Sequence, residues 1–587
     1  MEPAVAEIDA ALELLRSSVH ERGEPVGLVV APSGSVAMAT GSVRVVVAPA
    51  HVANVLAEAD REWRPRWVLW SNATAASLVA TGTRLATSWD VAAVHRLLRG
   101  GWRAEPARVW AQLHGLDHHR MPKMGQLDLL GGDGDGGGDD EVPVRPDGYL
   151  RPEWLAGAWA DSPERMGAWA ALVLDVAELQ RRLLDALAAE SATVAGNALA
   201  TARSESTAEL LCAELAADGL PIDLPAAEAL IASLVGPRAA TEAEAAADRA
   251  RRDAEVLQHL PPGSGIDLRN PADVKSMLRR LGIDVPDTRA WRLEQMRTVH
   301  PAIDALLHWR KAERIATTFG YGWLDTHVGA DGRLRGEWSG SDGAAGRMTA
   351  GAGLHNLPSE LRPVVIAEPG HVFVRADLGQ IEPRVLAAVS GDPALIAATQ
   401  DDDLYAPVAA RLGVERSVAK IAVLAAMYGQ TSGTAGQALR GMETGYPVAM
   451  KYLSDAAQAG VEGRDLRTYG GRLIRMYPVP DDADFRAVSA GRGRYARNAM
   501  VQGAAAELFK VWAVTVRARG AAIDARIVLC LHDELLLHVP VDNADAAVQL
   551  LHDCLAEAAF RWQPRRSVPV RFVADVSVVR SWADAKP

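Results

Sequence analysis

The segment His371-Val-Phe-Val-Arg-Ala-Asp377 alternates apolar with polar or bulky side chains and ends in a carboxylate. This period of two predicts a β-strand, because successive side chains of a strand point to opposite faces of the sheet. Val374 and Ala376 would share one face, and Arg375 and Asp377 the other. Asp377 is therefore expected to end a strand and to point away from the core.

A second group of acids lies in Leu531-His-Asp-Glu-Leu535, between the apolar runs Ile527 to Leu531 and Leu535 to Val539. This pattern predicts a β-hairpin with its acids at the tip. Two strand ends can bring two carboxylates together, and such oxygen ligands hold the two Mg²⁺ ions of phosphoryl transfer about 3.5–4 Å apart. Either acid alone is more often a solvated turn residue.

A third element runs from Glu415 to Gly429 and consists of good helix formers closed by a glycine. Four side chains of this helix recur every four residues: Arg416, Lys420, Leu424 and Tyr428. They would lie on one helix face, each rotated slightly about the axis from the one before, because a turn contains 3.6 residues. The two cations suit a triphosphate, and the other two side chains suit a base and a sugar. For this helix alone, a half-buried amphipathic helix is the alternative interpretation.

In this order, the three segments resemble the motifs of family A DNA polymerases, the bacterial DNA polymerase I group, over roughly residues 200 to 587. Asp377-Leu-Gly-Gln-Ile-Glu-Pro-Arg384 resembles the first palm motif, Arg416 to Gly429 the fingers helix, and His532-Asp-Glu534 the last palm motif. The other segments that agree are Gly346-Arg-Met348, Leu354-His-Asn-Leu-Pro358, Asp403-Leu-Tyr405, Arg494-Tyr-Ala-Arg-Asn498 and Val501-Gln-Gly503.

The resemblance implies a catalytic site with two Mg²⁺ ions, with Mn²⁺ as an alternative ion. Asp377, Asp533 and the backbone carbonyl of Leu378 would be the metal ligands, and Glu534 would support them. Lys420 would contact the triphosphate and donate a proton to the leaving pyrophosphate. The expected activity is attack of a primer 3′-hydroxyl on an incoming deoxynucleotide.

The resemblance also implies a nucleotide pocket and a DNA surface. Glu382, with Tyr428 behind it, would exclude a ribose 2′-hydroxyl. The nucleotide-binding residues would be Arg416, Lys420, Leu424, Tyr428, Gln380 and Glu382. The residues that contact primer and template in the minor groove would be Arg347, Asn356, Arg494, Asn498, Gln502 and His532.

Four positions depart from the family pattern. Leu424 stands where most members have Phe or Tyr, and Leu378-Gly379 stands in place of Tyr-Ser. We therefore expect weaker base stacking and altered discrimination against dideoxynucleotides. Pro383 follows Glu382 in what should be the first turn of a helix, where a missing N–H is tolerated.

The N-terminal part predicts an α/β module, since the β-rich runs Val26 to Ala31 and Val43 to Ala48 are followed by a helical segment from Val91 to Leu98. Family relatives carry a 3′–5′ exonuclease here, which needs clustered carboxylates. The first of these runs contains no acid, and Asp90, Asp161 and Asp175 are too few and wrongly placed. We expect a degenerate domain without proofreading, and no 5′-nuclease domain.

The fold class expected is α+β multidomain: a right-hand polymerase of palm, fingers and thumb, preceded by an α/β RNase H-like exonuclease-type domain. Residues 1–190 would form the exonuclease-like domain and 195–335 a helical thumb. The palm would comprise 336–400 and 500–587, with fingers at 400–500. The acidic tract Gly131 to Asp140 predicts a surface loop, and Asp117-His-His-Arg120 a surface turn rather than a metal site.

The composition and net charge of the chain limit its expected location and the kind of surface that could bind DNA. No apolar run is long enough to cross a bilayer, and the acidic N-terminus does not resemble a signal peptide, so we expect a cytoplasmic, nucleoid-associated bacterial protein. A net charge of −12 requires any DNA surface to be a local basic groove. The partners expected are primer-template DNA and deoxynucleoside triphosphates, bound by a monomer in replication or repair.

Two alternatives are weighed against this interpretation. A phage-type single-subunit RNA polymerase would share the metal aspartates and the fingers lysine, but Glu382 argues against it. A non-catalytic DNA-binding protein of the same fold would have lost Asp377, Lys420 and Asp533, which are all present.

Overall fold

The structure is a computed structural model that describes residues 5–121, 141–190, 197–429, 434–480 and 484–585. The acidic tract Gly131 to Asp140 lies outside the described residues. Within the described ranges, no helix has both the length and the apolar character that a membrane span requires. The turn at Asp117 to Arg120 is exposed, as predicted, and the side chain of Asp117 accepts a hydrogen bond from the backbone N–H of His119.

The β-strands are numbered in chain order. They are β1 Val5–Ala6, β2 Pro25–Val30, β3 Val36–Ala39, β4 Arg44–Val47, β5 Arg66–Leu69, β6 Ser88–Asp90, β7 Leu220–Pro221, β8 Arg333–Leu334, β9 Trp338–Ser339, β10 Thr349–Ala350, β11 His371–Leu378, β12 Leu466–Arg467, β13 Leu473–Ile474, β14 Arg526–Leu531, β15 Glu534–Pro540 and β16 Ala574–Val579.

The α-helices are numbered in the same way. They are α1 Ile8–Arg16, α2 Pro49–Glu62, α3 Asn72–Val79, α4 Val91–Arg99, α5 Pro106–Leu113, α6 Pro152–Leu155, α7 Pro163–Glu190, α8 Ala198–Asp218, α9 Leu224–Val235, α10 Glu242–Leu257, α11 Pro271–Arg280, α12 Ala290–Gln295, α13 Pro301–Thr318, α14 Tyr321–His327, α15 Ile381–Ser390, α16 Pro393–Ala398, α17 Tyr405–Leu412, α18 Arg416–Tyr428, α19 Thr434–Gly445, α20 Pro447–Glu462, α21 Phe485–Gly520 and α22 Ala544–Trp562.

The chain divides into two compact units. The first contains Met1–Asp218, Glu337–Ala350 and Gly370–Val579, and the second contains Gly219–Gly336, Gly351–Pro369 and Arg580–Pro587. The second unit includes α9 to α14, and a buried apolar cluster with Met277, Leu293 and Leu306 lies among its helices. The division into palm, fingers, thumb and exonuclease-like domain stays a prediction.

The N-terminal part of the first unit is a mixed six-stranded sheet in the order β1-β4-β3-β2-β5-β6. β2 is antiparallel to β3 and parallel to β5. Leu28 and Val29, adjacent on β2, belong to different buried clusters, because the strand alternates between two covered faces. Helix α7 approaches so closely that a Cβ on Gly27 would lie 2.0 Å from the carbonyl oxygen of Ala170. The α/β prediction for this region is confirmed.

A second sheet of the same unit has the order β14-β15-β11-β16, with every neighbouring pair antiparallel. The strand predicted to end at Asp377 is observed as β11, His371–Leu378. The predicted hairpin is observed as β14 and β15, whose two-residue connection is His532 and Asp533. Helices α21 and α22 pack on this sheet and provide its apolar layer.

A buried group of charged side chains joins α8 to α21. Glu205 accepts a hydrogen bond from Lys510 at 2.6 Å and forms an ion pair with Arg472 at 2.6 Å, and all three side chains are buried. Glu507 lies beside them and accepts from the backbone N–H of Gly470 at 2.8 Å. Burial raises the pKa of Glu507 to about 7, because the site disfavours its charged form.

This pKa predicts a pH-dependent stability. An ordinary glutamate has a pKa of 4.5, so between about pH 4.5 and 7 the folded protein keeps a proton that the unfolded chain has released. The free energy of unfolding should therefore fall as pH rises through this window. Glu507→Gln should reduce that decline, by up to about 3 kcal/mol, measured by urea unfolding at pH 5 and pH 7.5. The exposed control Glu164→Gln should leave it unchanged, and an equal decline in both variants would contradict the assignment.

Candidate active site

The ends of two neighbouring strands bring the predicted metal carboxylates together. Asp377 of β11 is paired across the sheet with Glu534 of β15. One residue further, the backbone N–H of Leu378 donates to the carbonyl oxygen of Asp533 at 3.0 Å. Asp377 and Asp533 are therefore backbone neighbours, although 155 positions separate them in the chain.

Arg375 occupies the centre of this acidic group. Its guanidinium pairs with Asp377, lies 3.0 Å from Glu534 and 3.7 Å from Asp575 of β16, and its side chain is only 3% exposed. Asp377, which was expected to point away from the core, has a side chain that is 27% exposed, whereas Arg375 on the same face is buried among the carboxylates. A buried guanidinium offsets the repulsion between the surrounding carboxylates.

Strained backbone adjoins each of the two strand ends. Gln380 has φ 49° and His532 has φ 56°, in the left-handed region that residues other than glycine rarely adopt. Such conformations cost about 1–3 kcal/mol each and persist only where surrounding contacts enforce them. At Gln380 the contact is visible, since its side-chain oxygen accepts from the backbone N–H of Leu404 at 3.2 Å.

Arg384 fixes the loop that follows Asp377. Its side chain is buried, and burial lowers its pKa to about 10. The guanidinium donates to backbone carbonyl oxygens of five residues, which are Gly379, Thr399, Asp401, Asp402 and Arg571. Five carbonyl acceptors satisfy a group that could not otherwise be buried at low cost.

A cavity of 360 Å³ opens between α15, α18, α21 and the hairpin tip. Its lining residues are Arg347, Gln380, Ile381, Glu382, Pro383, Tyr405, Leu424, Tyr428, Gln502, Ala505, Ala506, Phe509, His532 and Asp533. Eight residues that the sequence assigned to metal, nucleotide or DNA binding thus line one space. Pro383 lies in the first turn of α15, as expected.

A half-buried acid and a phenol face each other in this cavity. The hydroxyl of Tyr428 donates to a carboxylate oxygen of Glu382 at 2.9 Å. Burial raises the pKa of Glu382, while the bonds from Tyr428 and Gln502 act in the opposite direction. Burial and the adjacent Glu382 raise the pKa of Tyr428 to about 12. The pair is therefore held by a hydrogen bond in which the phenol is the donor.

The two cations of α18 lie on its exposed part, outside the cavity lining. Arg416 pairs with Asp403 through Nε at 2.5 Å and a second nitrogen at 3.1 Å. This pairing lowers the pKa of Asp403. Lys420, one turn further along, is exposed and makes no ion pair with the described residues. Leu424 and Tyr428 complete the face at the cavity, in the order that the four-residue spacing predicted.

The remaining residues assigned to DNA contacts are distributed more widely. Arg347 pairs with Asp342 at 3.3 Å and stays half exposed. Asn498 has a buried side-chain oxygen without a hydrogen-bond partner in the described chain. Arg494 packs against Gly429 at the end of α18. Asn356 lies in the second unit, where its backbone carbonyl accepts from Arg314 at 2.6 Å.

The sequence profile described as DNA polymerase family A matches residues 250–584. The chain belongs to DNA polymerase family A. The family predicted from the sequence is thereby confirmed.

Curated relatives of this family A member include DNA polymerases I. That of Chloroflexus aurantiacus is 30% identical over 328 residues, which are 50% of this chain and 34% of that protein. The thermostable DNA polymerase I of Thermus aquaticus is 29% identical over 329 residues, 51% of this chain and 38% of that protein. The chain thus spans little more than a third of the length of these relatives.

A solved structure shares the fold over nearly the whole chain. The POL domain of Pol1 from M. smegmatis, determined in complex with DNA primer-template and dNTP, has a TM-score of 0.68 and 23% sequence identity. The alignment covers 99% of this chain and 100% of that domain. The α+β multidomain fold class predicted for this family A member is confirmed.

The donors at the strand ends of this family A member fit a hard divalent cation. Asp377, Asp533 and the backbone carbonyl of Leu378 offer only oxygen atoms, the ligands that Mg²⁺ and Mn²⁺ prefer. The sequence interpretation missed the roles of Arg375 and Asp575 around these donors. The i, i+2 spacing of Arg375 and Asp377 was a usable signal, whereas Asp575 joins the group only through strand pairing.

Proposed function

We propose that this chain is a template-directed DNA polymerase that adds deoxynucleotides to a primer 3′-hydroxyl with release of pyrophosphate. The observation that carries the proposal is the adjacency of Asp377 and Asp533 beside a cavity lined by Glu382 and Tyr428. Family membership supports the same activity. Primer-template DNA and deoxynucleoside triphosphates are the proposed substrates.

Asp377, Asp533 and the carbonyl of Leu378 would hold two Mg²⁺ ions, or Mn²⁺ ions, with Glu534 in support. When bound, such ions activate the attacking hydroxyl and neutralise charge on the phosphates. Lys420 supplies a positive charge to the triphosphate and a proton to the leaving pyrophosphate. The exposure of Lys420 supports this role, since its ammonium is available to a ligand.

Arg416 would bind the outer phosphates after releasing Asp403. The exchange keeps the number of hydrogen bonds to Arg416 the same, because a carboxylate and a phosphate both accept two hydrogen bonds from one guanidinium. Gln380 and Leu424 would complete the nucleotide pocket, with Leu424 under the base. Arg347, Asn356, Arg494, Asn498, Gln502 and His532 would contact primer and template.

Glu382 is the proposed selector of deoxyribose, held in place by the hydroxyl of Tyr428. Glu382→Ala should raise the rate of ribonucleotide incorporation relative to deoxynucleotides by about ten- to a hundred-fold, since a steric clash of 1–3 kcal/mol is removed. The measurement is kcat/KM for a ribonucleotide and its deoxy counterpart on one primer. Tyr428→Phe, which keeps the ring but loses the donor, should shift the ratio less. An unchanged ratio in Glu382→Ala would refute the assignment.

We further propose that the N-terminal domain is a degenerate exonuclease without proofreading. Three observations support this. β2 carries no carboxylate, Asp90 is fully buried as the N-cap of α4, and Trp70 and Trp169 stack at 4.8 Å between ring centroids. The purified chain should leave a mismatched 3′ nucleotide intact in the presence of Mg²⁺. Removal of this nucleotide would contradict the proposal, whether or not an Asp377→Ala preparation made in parallel also removes it.

The other parts of the proposal concern organisation and setting. Residues 1–190 would be the exonuclease-like domain, 195–335 the thumb, 336–400 and 500–587 the palm, and 400–500 the fingers. The protein would act as a monomer in the bacterial cytoplasm, associated with the nucleoid, in replication or repair.

Primer extension tests the central activity. A labelled primer annealed to a longer template is incubated with Mg²⁺ and all four dNTPs, and in a second reaction with rNTPs. Extension with dNTPs and little with rNTPs is expected. No extension with either set would refute the proposed function.

A further inference from the structure

An exposed aromatic group lies apart from the nucleotide cavity. The large aromatic side chains at least 40% exposed in the described part of the first unit are Trp102, Tyr477, Phe485, Tyr495 and Phe560. Exposed aromatic rings are costly in water, and a group of them commonly marks a binding surface. Three of the five, Trp102, Tyr477 and Tyr495, lie on segments that contact one another through neighbouring residues.

Trp102 and Tyr477 are brought together by two close backbone approaches. The indole of Trp102 covers Gly343 so closely that a Cβ there would lie 2.4 Å from the ring, while 63% of Trp102 remains exposed. The hydroxyl of Tyr477 lies 3.7 Å from a Cβ built on Gly101, the residue before Trp102. One face of the indole is thus supported by protein, and the side chain is otherwise open to solvent.

Tyr495 is the third member, placed from α21. It lies one helical turn after Arg492, whose guanidinium donates to the backbone carbonyl of Tyr477 at 3.1 Å, so α21 places Tyr495 on the side of the helix that meets this segment. It lies between Arg494 and Asn498 in sequence, two residues proposed to contact DNA. The aromatic group therefore continues a surface that the proposed function already assigns to nucleic acid.

Arginines and acids both lie near the three rings, and one of the acids, Asp465, accepts from the backbone N–H of Met476 at 2.7 Å. Arg475 donates to the carbonyl of Arg99 at 2.5 Å, and Arg492 donates to the carbonyl of Tyr477 at 3.1 Å, so neither guanidinium is cancelled by a carboxylate in these contacts. The neighbouring acid Asp342 already accepts backbone N–H groups and pairs with Arg347. Arg475 and Arg492 form no ion pair within the described residues, so their charges remain available to the phosphates of a polyanionic ligand.

We propose that Trp102, Tyr477 and Tyr495 form a stacking platform for unpaired bases of single-stranded DNA. Bases of any sequence offer a flat face to such rings, while arginines beside them neutralise the phosphates. A duplex keeps its bases stacked inside and cannot use the platform in this way. The inference rests on the proposed function only for the source of the strand, which would be the unpaired part of a template.

The test compares single-stranded and duplex DNA with the full-length chain at one fixed salt concentration. Fluorescein-labelled oligo(dT) and a blunt duplex are titrated with protein, and fluorescence anisotropy gives each Kd. The double variant Trp102→Ala/Tyr477→Ala should weaken oligo(dT) binding by about ten-fold or more and leave duplex binding within about two-fold. Phe560→Ala, which removes an equally exposed ring from α22, should change neither Kd.

Two further measurements keep the test independent of folding and of catalysis. Trp102→Phe, with Tyr477 unchanged, retains a flat ring and should keep most of the wild-type affinity for oligo(dT). Thermal unfolding should be similar in all variants. On primer-templates, the double variant should bind less tightly when the template has a long overhang, and equally when it has a single unpaired base.

Equal oligo(dT) affinity in the wild type and the double variant would overturn the platform and leave the polymerase proposal intact. Concentration-dependent dimerisation that the double variant abolishes, with DNA affinity unchanged, would assign the surface to a second copy and would also overturn it. Failure of primer extension in the wild type would instead refute the proposed function, because the oligo(dT) comparison does not depend on synthesis.

Discussion

Asp377→Asn should abolish primer extension, with a fall in the single-turnover rate of about a thousand-fold or more. Metal ions contribute several kcal/mol to phosphoryl transfer, and each 1.36 kcal/mol corresponds to a factor of ten in rate. Asparagine keeps the size of the side chain and removes the charge that a divalent cation requires. Rapid-quench extension of a labelled primer measures the rate, and calorimetric titration with Mn²⁺ should show weaker binding.

Asp575→Asn is the matched control for this substitution. Asp575 lies opposite Asp377 on β16, and it belongs to the same acidic group, but its side chain is 81% exposed. Its neutralisation should change the rate by no more than a few-fold. Primer-template affinity should be unchanged in both variants. Substantial extension by Asp377→Asn, or an equal loss in Asp575→Asn, would contradict the assignment of Asp377.

Lys420→Ala should lower kcat by about 10² to 10³-fold, the cost typical of removing one charged or hydrogen-bonding group from a transition state. The expected loss is mainly in the rate, because Lys420 would act on charge that develops as pyrophosphate leaves. Single-turnover extension at saturating nucleotide measures it.

Lys451→Ala provides the control for Lys420→Ala. Lys451 is an exposed lysine of α20 that pairs with Asp455 at 2.7 Å, and its loss should leave kcat within about two-fold. Partial recovery in Lys420→Arg would support a role in charge stabilisation. An unchanged rate in Lys420→Ala would show that the exposed ammonium has no part in the reaction.

Much of the strand and helix pattern could be predicted because it depends on local periodicity. The alternation before Asp377 predicted β11, and the four-residue spacing of α18 predicted which side chains would share a face. The adjacency of Leu424 and Tyr428 at the cavity follows from the same spacing. These features need no knowledge of the rest of the chain.

Features that depend on strand pairing and on distant contacts could not be predicted in this way. The partners of Arg375 are Glu534 of β15 and Asp575 of β16, which only the register of these strands places beside β11. Arg384 is part of a sequence motif, yet its five carbonyl acceptors come from three separate segments of the chain. The aromatic group at Trp102 likewise combines residues separated by hundreds of positions.

Arg375 has a consequence for how the protein can be handled. Many small metalloproteins unfold in chelators, because their ligand carboxylates or thiolates repel one another once the ion is removed. Here a guanidinium already lies among Asp377, Glu534 and Asp575. EDTA should therefore act as a reversible inhibitor rather than a denaturant, and a chelated preparation should regain activity on dilution into Mg²⁺ without any refolding step.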